Sequence, residues 1–236
     1  MRGLLFTIIC ATLNIFIATA QGDGYAALGF VKQEIGEFSS VEIDAPANIV
    51  FYQIGADTKP YIEYNTYGNY TSKFAAELAA GGVLKISERV EAKREDLTDV
   101  RIYFHSLDEL SISKANVTIE GTLSTRLLNI FVSNSSQLSI DIDVLDVMVD
   151  VSGKSVVKIS GETLYQSANI STAQYDASGL ECVSTVISAS HNAVAKVDAR
   201  ERLEAKTSTG GTIYYKSEPV IFRSETTLFG GSISLL

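Results

Sequence analysis

The stretch Val149-Asp150-Val151-Ser152-Gly153-Lys154-Ser155-Val156-Val157-Lys158-Ile159 decides the fold. Val149 and Val151 flank an aspartate, a small polar group interrupts at Ser152-Gly153-Lys154, and alternation resumes with Val157, Lys158 and Ile159. Period-two alternation marks a strand buried on one face, and the interruption has the chemistry of a turn. The unit recurs. Setting Ser113, Ser133, Ser152, Ser171, Ser190 and Ser208 in register gives spacings of 20, 19, 19, 19 and 18 residues. Because serine anchors the alignment, the flanking columns are the real test. Three residues before each anchor stand Leu110, Ile130, Val149, Ala168, Ile187 and Ala205, all apolar. One residue before stand Ile112, Val132, Val151, Ile170, Ala189 and Thr207, while Ser111, Phe131, Asp150, Asn169, Ser188 and Lys206 lie between the two columns. Six or seven residues after each anchor comes Ile119, Ile140, Ile159, Ala177, Val197 or Tyr215.

Alternation repeated at a fixed period describes one rung of a stack, each rung burying its aliphatic face on the next. About 19 residues cannot hold a βαβ crossover, which needs a helix as well. The reading is therefore all-β, a solenoid of short parallel coils, and six coils rise about 29 Å at ~4.8 Å each. In this reading the anchor serine bonds freed backbone groups or the serine of the next coil. A meander of hairpins is the rival. Its preferred Asn-Gly and Asp-Gly turns are missing from residues 107–236. Thr226 to Leu236 resembles one further coil, turning at Gly230-Gly231, and its apolar Leu235-Leu236 end must pack against something.

Working outward, residues 36–106 form a less regular half that can cap one end of the repeats at 107–236. Val41 to Ile43, Val83 to Ile86 and Val100 to Phe104 alternate as strands, with turn-like breaks at Ala45-Pro46-Ala47-Asn48 and Gly55-Ala56-Asp57. Lys73 to Ala80 leaves a short helix and a strand-and-turn both open. Glu88 to Asp99 is densely charged and reads as an exposed loop or hairpin tip. Residues 21–35, with Gly22, Gly24 and Gly29, read as a linker.

Residues 1–20 read as a signal peptide. Arg2 precedes the apolar run Leu4 to Ile17, and Ala18-Thr19-Ala20 supplies the cleavage pattern. The expected location is outside the cytoplasm, in the periplasm or at the cell surface. No second apolar stretch reaches the ~20 residues of a spanning helix, so no membrane span is expected in the mature chain. Removing the leader, with Cys10, leaves Cys182 alone, so no internal disulfide is available. At 46% hydrophobic residues a packed core is affordable, and a net charge of −9 disfavours nucleic acid.

Phe38-Ser39-Ser40-Val41-Glu42-Ile43, Ile49-Val50-Phe51-Tyr52-Gln53, Gly82-Val83-Leu84-Lys85-Ile86 and Val151 through Gly161 carry a family pattern. The chain resembles the secreted auto-transporter adhesin, head-GIN domain family common in Bacteroidetes, from about Glu37 to Pro219. The resemblance implies a right-handed parallel β-helix, export to the cell envelope and no established catalytic residues. One departure stands out: family repeats favour glycine after the anchor serine, and here only Ser152-Gly153 keeps it.

The residues offer little chemistry. His191 follows Cys182 by nine residues, but reads as a turn residue, with Cys182 as a core residue. Two histidines, His105 and His191, and one mature cysteine make a dedicated zinc site unexpected. Asp141, Asp143, Asp146 and Asp150 form an acidic cluster that could bind Ca²⁺ or work as acid and base on a glycan, with Lys154 and Lys158 nearby. The simpler reading is a solvated face, since no EF-hand or Gly-Asp repeat accompanies it. Tyr61, Tyr64, Tyr67 and Tyr70 recur every three residues and either stack on sugar rings or pack over the end of the stack. Asn69, Asn116, Asn134 and Asn169 lie in glycosylation sequons, which matter only in a glycosylating host.

The expectation is a non-enzymatic secreted or envelope protein that binds a glycan or an envelope protein, without catalytic residues, metal or cofactor. Two alternatives stand beside it. One is a carbohydrate-active lyase or hydrolase on a pectate-lyase-like β-helix; the other is a periplasmic envelope-stress partner. Oligomeric state is left open.

Overall fold

The computed structural model describes residues 29–67, 73–89, 96–227 and 229–236. The proposed signal peptide, Tyr70 and Asn69 lie outside these residues, as does most of the linker. Among the described residues every regular element is a strand, sixteen in all. In chain order they are β1 (Val31–Glu34), β2 (Ser40–Asp44), β3 (Ala47–Gln53), β4 (Tyr61–Asn65), β5 (Lys73–Ala79), β6 (Val83–Arg89), β7 (Thr98–Phe104) and β8 (Glu109–Ser113). There follow β9 (Asn116–Ser133), β10 (Gln137–Val151), β11 (Val156–Ser171), β12 (Gln174–Ser190), β13 (Val194–Thr207), β14 (Thr212–Tyr215), β15 (Ile221–Thr226) and β16 (Ser232–Leu235).

The repeat region is a parallel β-solenoid of about seven turns at ~19-residue spacing. Pairing β10 with β11 sets Leu138 beside Val157, Val149 beside Ala168 and Val151 beside Ile170. The next coil adds Tyr175, Ile187 and Ala189 to the same columns. Every partnership from β8 to β16 is parallel, which excludes the hairpin meander. Val132, Val151 and Ile170 all point inward and are at most 1% exposed.

Two bends recur from coil to coil. One bend follows the anchor serine, where Lys114, Asn134, Lys154, Thr172, His191 and Thr209 adopt positive φ. The other falls midway, where Leu145 and Asp146, or Leu164 and Tyr165, are exposed in succession and the alternation changes phase. The anchor serines themselves sit partly exposed at the start of the turn. The small residue that stacks inside comes two or three positions later: Ala115, Ser136, Ser155, Ala173 and Ala193 are all buried. There the expected coil-to-coil bonding is found. The Ala115 amide donates to Ser136 Oγ (3.3 Å) and the Ser136 amide donates to Ser155 Oγ (3.2 Å). Gly153 is needed at its turn, because its φ is +64° and a Cβ would stand 2.8 Å from the Asn134 nitrogen.

The first half is more regular than its sequence suggests. β2 and β3 form a full coil beneath β8 and β9. β6 and β7 form another coil, lying on the far side of β2 and β3 and out of sequence order. Antiparallel strands then close this end: β4 on β7, β1 on β4, and β5 on β6. Two expectations change here, and one open choice is resolved. Val31–Glu34, read as part of the linker, is a strand, and Ile35 is buried; an edge strand of four polar-rich residues shows no alternation to read. Lys73 to Ala79 resolves as strand, since its partner β6 supplies the ladder that overrides its helical propensity. The charged stretch Glu88 to Asp99 overlaps β6 and β7, and its middle, 90–95, lies outside the described residues; Glu88 and Thr98 are buried, and the Thr98 hydroxyl donates to the Glu88 carboxylate at 2.8 Å.

One core grades into another along the axis. Phe51 and Phe104 meet edge to face at 5.8 Å near the first coils, among Ile62, Leu84, Ile86 and Ile102. Farther on, alanines dominate: Ala168, Ala177, Ala189, Ala193, Ala195, Ala199 and Ala205 are buried. Tyr175 fills the space they leave. It is 1% exposed, and its hydroxyl accepts from Gln166, whose carbonyl accepts from Thr185 (3.1 Å).

Candidate functional site

In a register of this kind every outward position becomes a column, one side chain per coil, about 4.8 Å apart. One set of columns lies at the midway bend. Leu145 and Leu164 occupy equivalent corner positions of successive coils, bracketed by the pairs Val144–Thr163 and Asp146–Tyr165. They are 46% and 44% exposed, and Leu127 and Tyr165 beside them are 54% and 56% exposed. Alongside runs a column of carboxylates, Asp143, Glu162 and Glu181, which ends on Arg200 bonded to Glu181. Asp143, Leu145, Glu162, Leu164, Glu181 and Arg200 line a shallow groove of about 260 Å³. That is below the ~300–1,000 Å³ usual for a small-molecule pocket. An open apolar ridge beside a charged column suits an extended partner laid along the coils.

The acidic residues singled out in the sequence do not act as one group. Asp141 and Asp143 point outward from the arm before the bend; Asp146 and Asp150 belong to the arm after it. Asp141 accepts from Thr122 (2.7 Å) and Ser160 (2.8 Å), hydroxyls from the coils on either side. Asp150 accepts from Asn169 at 3.2 Å. Among the described residues no group of three or more His, Cys, Asp or Glu side chains is arranged to hold a metal ion. Lys158 joins a different column, beside Asp176, whose carboxyl is held below the usual range: hydrogen bonds from Ser178 and the charges of Lys196 and Lys158 outweigh its burial. Lys154 is a turn residue.

Cys182 faces the core and is fully buried; its thiol is pushed up by that burial and contacts the Leu164 and Ser184 carbonyls. His191 lies at an exposed turn, bonded to Ser171 and Ser190. The two belong to different environments, and no nucleophile–base pair forms. His105 bridges the Glu37 carboxylate (3.0 Å) and the Thr58 carbonyl (2.7 Å), both of which raise its pKa.

The tyrosines divide. Tyr61 stacks on Tyr103 (4.1 Å between centroids) and Tyr103 on Tyr52 (5.1 Å), with Lys32 over the Tyr61 ring at 3.6 Å. Burial pushes the Tyr103 phenol up to about 12. Tyr64 packs on Phe74, and Tyr67 donates to Asp99. The stacked rings use their faces on one another, which fits packing over the end of the sheet better than a sugar platform.

The carboxylate column was missed in the sequence. Its signal is plain in retrospect: 143, 162 and 181 are spaced by 19, the period of the repeat, as are 145 and 164.

The fold is a parallel β-solenoid that presents repeated outer columns of side chains. The family model "Putative auto-transporter adhesin, head GIN domain" matches residues 37–219, and the chain belongs to that family. No curated protein matches the chain. Among solved structures, a putative adhesin from Bacteroides fragilis superimposes with a TM-score of 0.79 at 20% identity, covering 88% of this chain and 96% of that one. A putative lipid binding protein from Parabacteroides distasonis gives 0.65 at 17% identity, with 88% and 96% covered. A putative adhesin from Parabacteroides merdae gives 0.65 at 15% identity, with 88% and 95% covered. These superpositions establish a shared fold.

Proposed function

We propose that the chain is a non-enzymatic binding module, exported by cleavage after Ala20 and displayed in the envelope or at the cell surface. There it contacts an extended glycan or envelope polymer along its coils. Membership of an adhesin-like family supports binding as the general task. The observation that carries the reading is the exposed Leu145–Leu164 ridge beside the Asp143–Glu162–Glu181 column. Exposed apolar side chains aligned over several coils are characteristic of interaction surfaces. No helix among the described residues is long and apolar enough to cross a membrane.

The test is a glycan array run beside a polysaccharide-degradation screen, on the wild-type chain and on Leu145→Asp/Leu164→Asp and Glu162→Gln. Binding without turnover, lost in the double leucine variant, is the expected result. Turnover of any polysaccharide that disappears in Glu162→Gln would instead favour the carbohydrate-active enzyme.

A further inference from the structure

Antiparallel strands cover one end of the solenoid, and among the described residues the other end presents open strand edges. β15 pairs β13 and β16 pairs β14, and no described strand lies on their outer edges. All six β15 residues are exposed. The last coil also exposes Val220 at 83%, Phe229 at 80%, Leu235 at 50% and Leu236 at 60%. A free edge with apolar side chains is a template for a further strand.

The charges identify which strand fits. On the outward face of β13 and β15, Arg223 bridges Glu204 (3.1 Å) and Lys206 bridges Glu225 (3.0 Å). In register this is a two-by-two checkerboard: Glu204 beside Arg223, and Lys206 beside Glu225. Let a second β15 lie antiparallel against the first, centred on Ser224. Arg223 then faces Glu225 of the second copy, and Glu225 faces its Arg223. Each outer column runs acid, base, acid, base through the junction without a like-charge pair. On the inward side Phe222 meets Thr226, and Ser224 meets its own counterpart. Directly opposed residues share a face in an antiparallel pair, so both matches arise from one register.

The geometry points to a two-fold, end-to-end dimer in which β15 of two copies joins their sheets into one continuous solenoid. The contact is isologous and closes on itself, leaving the capped ends outward. It is independent of the bend groove proposed for ligand binding.

The test uses the chain expressed from Met1, sized by light scattering across a dilution series. Wild type is expected at twice the single-chain mass. Arg223→Glu opposes two carboxylates and Glu225→Arg two guanidiniums, twice in each homodimer, so each variant should dissociate about tenfold or more readily. Mixed in equal amounts, the two restore both opposite-charge contacts and should re-form the dimer. Circular dichroism of each variant confirms that it is folded. A single-chain mass for wild type, a dimer that persists in both variants, or a mixture that stays monomeric would each overturn the proposal.

Discussion

The first coils and the last coil solve the same problem differently. At the N-terminal end β4, β1 and β5 fold back antiparallel and cover the stack. Phe51 and Phe104 anchor the core there, and the outermost strand, β1, carries Lys32, Gln33 and Glu34. At the other end β15 and β16 continue the parallel pattern, and no described strand covers their outer edges, where apolar side chains are exposed. A parallel stack has no intrinsic terminus, because each coil offers the next the edge it received. Closing it requires reversing the strand direction or supplying another edge.

The largest effect expected from this contrast is at the capped end. Phe51→Ala should cost about 3–5 kcal/mol in chemical denaturation, since the ring is fully buried against Phe104. Phe222→Ala, 43% exposed on Tyr215, should cost no more than about 1 kcal/mol under conditions that keep the chain monomeric. Equal losses would erase the distinction between the ends. Next comes the alanine-rich core between them. Tyr175→Phe removes the acceptor of the Gln166 amide in a sealed interior and should cost about 1–3 kcal/mol, with little change in the denaturant slope. A neutral outcome would show that water reaches Gln166. Ser136→Ala removes the oxygen that the Ala115 amide bonds, and should cost about 1 kcal/mol in the same assay.

The smallest effect is a pH dependence confined to the capped end. The folded pKa of His105 is raised by Thr58 and Glu37, so its contribution is fully present below the unfolded value near 6.5 and is lost as pH rises through the folded value. Thermal stability should therefore decline slightly across that window and more weakly in His105→Gln. An unchanged slope in the variant would remove His105 from the account.

The repeat half was legible because its information is columnar. Val132, Val151 and Ile170 sit one period apart in the sequence and one coil apart in space. The first half was legible only locally. Val83 to Ile86 and Val100 to Phe104 read as strands, but nothing in their alternation says that β6 and β7 lie outside β2 and β3. That order depends on the reversal through β4 and β5, a non-local choice. The candidate site shows the same lesson. Asp141, Asp143, Asp146 and Asp150 are neighbours in sequence and divide across a bend, whereas Asp143, Glu162 and Glu181 are far apart in sequence and adjacent on the surface. In a solenoid, proximity is counted in periods.

The threading of the first coils can be tested most directly by cross-linking. Glu42 and Lys85 are register partners on β2 and β6 and point outward together. Parallel neighbours at ~4.8 Å lie within disulfide reach. Glu42→Cys/Lys85→Cys should close a disulfide on mild oxidation as readily as the repeat-region pair Asp150→Cys/Asn169→Cys. If the repeat pair closes and the Glu42–Lys85 pair does not, the first half is not part of the stack.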